Sequence, residues 1–286
     1  MASMRDIKRR RTSISSTQQI TKAMKLVSTV KLQKAKGRAE DVSPYFNAMY
    51  RTVCSMLARV GSVDHPYLTE HDEGKCAVIT ITSNRGLAGG YNSNIVKLIT
   101  ASELDKDETE IYAIGHKGEE LLAHRGYSIM DADNDVMEAP TYEDASRICK
   151  DLLKRYADGE VRAIYLAYTH FKNTVVHEPT LLQLLPVVVD EEDIAEGNDS
   201  NLLMNFEPNE EEALGLIVPK YVTSLIYGAL IEAVASENGA RMQAMDSATS
   251  NAEDMISDLT LKYNRARQGS ITQELTEIIA GAEALA

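Results

Sequence analysis

The sequence predicts an α/β protein in which long N- and C-terminal helices pair as an antiparallel coiled coil beside a compact α/β domain with a mostly parallel sheet. Three observations carry that prediction. Apolar and small residues recur with alternating spacings of three and four from Leu214 to Ala266, which is a coiled-coil seam. A sevenfold recurrence marks the N-terminal segment, and β-branched runs alternate with helical stretches between them.

The N-terminal helix is read over residues 4–58. Ile7, Ile14, Thr21, Ser28, Ala35, Val42, Met49 and Met56 recur every seven positions, and Thr17, Met24 and Tyr45 are taken to widen that face. Pro44 removes one backbone donor, so a bend is expected there. From Lys75 the texture changes to short strands and helices: strands at Cys76 to Thr82, Glu110 to Gly115, Tyr127 to Ile129, Val161 to Thr169 and Thr174 to Val189, with helices near Asn92 to Leu104, Glu119 to His124 and Tyr142 to Tyr156. Such alternation builds a parallel sheet covered by helices, and the last two strands are expected to form an antiparallel edge hairpin. Residues Asp190 to Glu212, with ten acids and neither Lys nor Arg, read as a solvated loop. The predicted domains are therefore 1–58 (helix), 75–200 (α/β) and 210–286 (helix).

The C-terminal helix has the seam Leu214, Ile217, Tyr221, Ser224, Gly228, Ile231, Ala235, Asn238, Met242, Met245, Thr249, Ala252, Ile256, Leu259, Tyr263 and Ala266. At about 1.5 Å rise per residue it reaches roughly 80 Å. Because both helices leave the same domain, they must run antiparallel if they pair, with Met4 near Ala266. Beyond Ala266 the stripe slips one position, to Ile271, Leu275, Ile278, Ala282 and Leu285. The slip rotates the apolar face and offers it to another body.

Charge points to partners as well. The chain carries a formal net charge of -13, yet residues 5–38 hold eleven Lys and Arg against Asp6 alone. The paired part of the C-terminal helix is nearly balanced, so the positive surplus is left for an external acidic surface. Three widely spaced cysteines, Cys54, Cys76 and Cys149, suggest neither a disulfide framework nor a metal site. No stretch reads as a membrane span or a secretory signal. The six histidines are scattered without ligand spacing and read as surface or loop residues; no catalytic arrangement is legible.

The turn Ser83-Asn84-Arg85-Gly86-Leu87-Ala88-Gly89-Gly90-Tyr91-Asn92 invites a phosphate-binding reading, but it lacks both G-x-G-x-x-G and a closing Gly-Lys-Ser/Thr. A tight strand-to-helix turn or a partner contact is the default. Nucleic-acid binding by the basic arm finds no interleaved aromatics, and the rest of the chain is acidic. A static coiled-coil scaffold would explain the weak seam but not a single projecting tip.

Ile20-Thr21-Lys22-Ala23-Met24 with Val27 and Lys31, the turn just quoted, and the ending Ala266 to Ala282, above all Ile271, Thr272, Glu274, Glu277, Gly281 and Ala282, resemble the gamma subunit family of F-type ATP synthases. The resemblance spans the whole chain. It implies a central stalk, non-catalytic by itself and without cofactor, peripheral on the cytoplasmic face of the bacterial cell membrane. Implied partners are three alpha and three beta subunits, epsilon, delta within the F1 complex, and the membrane c-ring. Of the ring contacts it implies, Arg267, Gln268 and Thr272 meet a beta-subunit loop, Met24, Lys31 and Lys34 meet the acidic beta hairpin, and Ile278 and Leu285 turn in an apolar sleeve; Arg85 and Glu274 complete the set. Phe206 and Glu207 are implied near the c-ring. Ala88 stands where family members often have cysteine, and no redox-regulatory cysteine insertion is present, so thiol control is not expected.

Overall fold

A computed structural model describes residues 4–60, 65–69, 71, 73–187 and 209–283. The elements are α1 (Met4–Val60), β1 (Lys75–Ile81), α2 (Tyr91–Ala101), β2 (Thr109–Ile114), α3 (His116–His124), β3 (Ser128–Asp133), α4 (Tyr142–Ala157), β4 (Val161–Phe171), β5 (His177–Leu185) and α5 (Glu210–Glu283). Every predicted strand and helix is found. The chain divides into two compact units: residues up to Ser28 with those from Arg241, and Thr29–Ala240.

In the larger unit the sheet order is β3-β2-β1-β4-β5. β1 pairs in parallel with β2 and β4, β2 in parallel with β3, and β4 and β5 form the expected antiparallel edge pair. Side chains alternate across a strand, so β1 serves two cores. Ala77, Ile79 and Ile81 face Ile148, Leu152 and Tyr156 of α4, Leu214, Val218 and Leu230 of α5, and Val53 and Met56 of α1. Val78 faces Ile95 and Ile99 of α2 and Leu122 of α3. This arrangement ties α1 and α5 into one face of the sheet.

Helix starts follow from local chemistry. Thr141 caps α4 in a reciprocal box: its hydroxyl accepts from the Asp144 amide at 3.2 Å, while its own amide donates to Asp144 Oδ2 at 3.0 Å. These bonds from Thr141 hold the Asp144 carboxyl below the usual carboxylate range, against the opposing pull of burial. Its stabilisation is thus present above the unfolded value of about 3.9 and is lost as pH falls through the lower folded value. Thr141→Ala should cost about 1 kcal/mol and flatten the loss of stability below pH 4; urea melts at pH 7 and pH 3 check both.

At α5, Asn209 Oδ1 accepts from the Glu212 amide at 2.8 Å. Glu210, Glu211 and Glu212, which close the acidic stretch and open the predicted 210–286 helix, form the first turn of the helix, where negative charge suits the helix dipole. The remainder of that loop lies outside the described residues. Helix α1 continues through Pro44, and α5 through Pro219.

By length and composition α5 could cross a membrane, which the sequence reading did not assign. However, 56% of its most apolar stretch is buried within the protein. Those side chains already have a core.

In the smaller unit α1 and α5 run antiparallel. Lys25 Nζ donates to Asp246 Oδ1 at 2.5 Å and Gln18 Nε2 to Glu253 Oε1 at 3.0 Å, so seven residues back on α1 match seven forward on α5. Between them the Thr21 and Thr249 hydroxyls meet at 2.8 Å in a buried contact, and the Arg11 guanidinium lies 5.5 Å from the Tyr263 ring centre. This register brings Met4 opposite the Ala266 region, as predicted.

All described seam positions of α5 are buried or half-buried through Ala266, and so are the sevenfold positions of α1. The companion positions need correction. Thr17 and Tyr45 are exposed, and only Met24 is half-buried. The second row of α1 lies one place later, at Arg11, Gln18, Lys25, Leu32, Ala39, Phe46 and Val53, and every one of these is at least half-buried. Three of the seven are polar, so an apolar template passes over them. They belong there because long polar side chains lay their stems along the seam and bond at its rim.

Candidate partner-binding surfaces

The carboxyl ends of β1 and β4 form the crevice where open α/β sheets commonly bind ligands. Here α5 fills it. The Tyr91 hydroxyl donates to the Ala233 carbonyl at 3.2 Å and the Ser236 hydroxyl to the Thr169 carbonyl at 3.0 Å. The turn after β1 is closed on itself: Asn92 Oδ1 accepts from the Ser83 amide at 2.9 Å, and the Ser83 hydroxyl donates to the Arg85 carbonyl at 2.7 Å. Leu87 and Gly89 adopt positive φ, 64° and 57°. Arg85 is exposed on this turn. The turn reads as strand-to-helix geometry.

The strongest exposed feature lies in the smaller unit. Past the register limit set by Met4, α5 runs on with no α1 residue opposite it. Ile271, Leu275, Ile278 and Ile279 are all exposed, Ile278 to 71%, and their three- and four-residue spacing gathers them on one face. Gln268, Thr272 and Thr276 follow at spacings of four along the edge of that face, and the Thr276 hydroxyl donates to the Thr272 carbonyl at 2.8 Å. Arg267 and Glu274 are also exposed, with Glu274 within 3.4 Å of the Ser270 hydroxyl. Contiguous exposed apolar rows are uncommon on soluble surfaces and are characteristic of interaction sites.

In the larger unit Lys31 and Lys34 are exposed on α1. With Arg38 they border a cleft of about 200 Å³ whose other walls include Met137 to Pro140 and Glu237 of α5. Met24 belongs to the smaller unit. Phe206, Glu207 and Leu285 lie outside the described residues. His116 and His124 are exposed on α3, as read from sequence, but His65 is buried and His177 half-buried. Burial pushes both imidazoles below their ordinary value, with Glu211 opposing the shift at His65.

A family model described as "ATP synthase" matches residues 3–285. The "ATP synthase gamma chain" of Lachnoclostridium phytofermentans is 64% identical, with 100% of each chain covered. The chain belongs to the ATP synthase gamma chain family. It is the gamma subunit of an ATP synthase complex. The "ATP synthase gamma chain, sodium ion specific" of Acetobacterium woodii is 38% identical, over 99% of this gamma chain and 98% of that one. A chain in the cryo-EM structure of the Euglena gracilis mitochondrial ATP synthase, "OSCP/F1/c-ring, rotational state 3", shares the gamma-chain fold with a TM-score of 0.69 at 18% identity, over 99% of this chain and 94% of that chain.

Proposed function

We propose that this chain is a non-catalytic axle, turning at the cytoplasmic face of a bacterial membrane inside a ring of three alpha and three beta subunits, with epsilon and delta in the same F1 complex. The membrane c-ring drives it. One asymmetric body meets three equivalent catalytic subunits, so each is in contact with a different face and holds nucleotide with a different affinity. Rotation exchanges those states, and differential binding becomes product release.

The observation that carries this reading is the exposed row Ile271, Leu275, Ile278 and Ile279 beyond the end of α1. An apolar sleeve accounts for it, and a sleeve without directional bonds permits turning. Leu285 continues the same contact. Arg267, Gln268 and Thr272, with Glu274 beside them, meet a beta-subunit loop. Lys31 and Lys34, with Met24 further along α1, face the acidic beta hairpin through ion pairs worth about 0 to 1 kcal/mol each, weak enough to exchange at every step. Arg85 completes the contacts with the ring, and Phe206 and Glu207 lie at the c-ring.

The test is direct observation of turning. The three native cysteines are buried, so Asp107→Cys, at an exposed position, supplies one reactive thiol for a bead. In an F1 complex anchored by its beta subunits, ATP hydrolysis should drive the bead in one direction with three pauses per turn. Hydrolysis with a stationary bead would refute the axle reading.

A further inference from the structure

A second cleft, of about 210 Å³, opens in the larger unit between α1, the β4–β5 pair and α5. Its floor is Leu166 and Leu182, paired across the two strands. Val42 and Phe46 of α1 and Leu225 of α5 make its walls. An apolar space of about 150 Å³ stays dry and takes up a molecule the size of benzene, and drug-sized ligands need roughly 300 Å³ or more. The cleft therefore suits a single ring with a short substituent.

Two features distinguish it from loose packing. Gly228 borders it in the interior of α5, where glycine costs about 1 kcal/mol relative to alanine. A Cβ there would meet Phe46 at 3.7 Å, an ordinary contact, so helix approach does not demand the glycine, and its absent side chain is what keeps the space open. One turn on, Glu232 lines the same cleft and receives His170 Nδ1 at 2.7 Å. Tyr168, also lining it, has its hydroxyl pushed up by burial and by the Glu232 carboxylate. No lysine or arginine is among the described lining residues; His170, which is one of them, meets Glu232 through Oε2, and the second carboxylate oxygen is the one left for a ligand. The polar end carries a carboxylate in a mostly apolar pocket, and what complements that is a cation with an apolar body.

We propose that this cleft binds a small organic monocation, a single ring bearing a protonated amine, with the ring between Phe46 and the Leu166–Leu182 floor and the ammonium at Glu232. Such a ligand touches α1, the β4–β5 pair and α5 at once and fastens the three together. The proposal is independent of the axle reading.

Benzylamine, benzyl alcohol and benzoate, titrated into the full-length chain at pH 8 and followed by calorimetry, test it. Benzylamine should bind saturably at one site, at least about tenfold tighter than benzyl alcohol, with benzoate weaker still. Glu232→Gln should weaken benzylamine at least tenfold, to the level of the alcohol. Gly228→Met, checked for folding by circular dichroism, should abolish binding of both by occupying the space. The proposal is overturned by an absence of saturable benzylamine binding, by equal affinity for the amine and the alcohol, by an unaffected Glu232→Gln variant, or by a folded Gly228→Met variant that still binds.

Discussion

Removing residues 267–286 should leave the α/β unit folded while ATP synthesis in reconstituted vesicles falls at least severalfold. The register explains the separation. Lys25 with Asp246, Gln18 with Glu253 and Arg11 with Tyr263 all lie before the cut, and every cluster of the α/β core lies before Ala240. Among the described residues, none of the bonds between α1 and α5 and none of the core clusters is deleted. What goes is the exposed row at Ile271, Leu275, Ile278 and Ile279, together with Arg267, Gln268 and Thr272. Thermal unfolding should shift by less than about 2 °C, since these side chains bury little. Synthesis at the full rate would sink the assignment of the tip, and loss of the folded α/β unit would sink the register.

Gly115→Ala should be the most damaging added methyl among the described glycines, costing about 3 kcal/mol or more. Gly115 begins α3 at φ 98°, and a Cβ there would stand 2.1 Å from the Thr82 carbonyl oxygen. Backbone on both sides leaves nothing that can swing aside. Thr82 is itself pinned, donating to the carbonyls of Ile114 and Gly115 and accepting from the Gly118 amide at 2.8 Å. Gly159→Ala is the natural control: its φ is 76°, but a Cβ there meets nothing within 4 Å, so it isolates backbone strain at about 1 kcal/mol. At about 2 to 4 °C per kcal/mol for a unit of this size, the two melting temperatures should differ by roughly 5 °C or more. Equal losses would show that strain alone governs Gly115.

What could be read beforehand divides along a physical line. The α5 seam was legible because its burial is continuous and its spacing regular, and the sheet because β-branched runs alternate with helical ones. The antiparallel register followed from two helices of similar length leaving one domain. The second row of α1 was misplaced because Arg11, Gln18 and Lys25 do there what apolar residues usually do. The occupant of the crevice beyond β1 and β4 was hidden for another reason: Ala233 offers only its backbone and Ser236 an ordinary hydroxyl, so neither announces a tertiary bond between Tyr91, Thr169 and a helix well over sixty positions away. Among the candidate contacts, exposure at Lys31, Lys34, Arg267, Gln268 and Thr272 was foreseeable from their polarity. The identity of what meets them is not a property of single side chains.

That occupied crevice has a mechanical corollary. A twisting load carried by α5 enters the α/β unit at Ala233, whose carbonyl accepts from Tyr91 of α2, and at Ser236, which donates to the Thr169 carbonyl of β4. The joint is keyed rather than glued: hydrogen bonds fix its azimuth while apolar contacts bear on either side. Strain delivered there is shared between α2 and β4 rather than resting on one element.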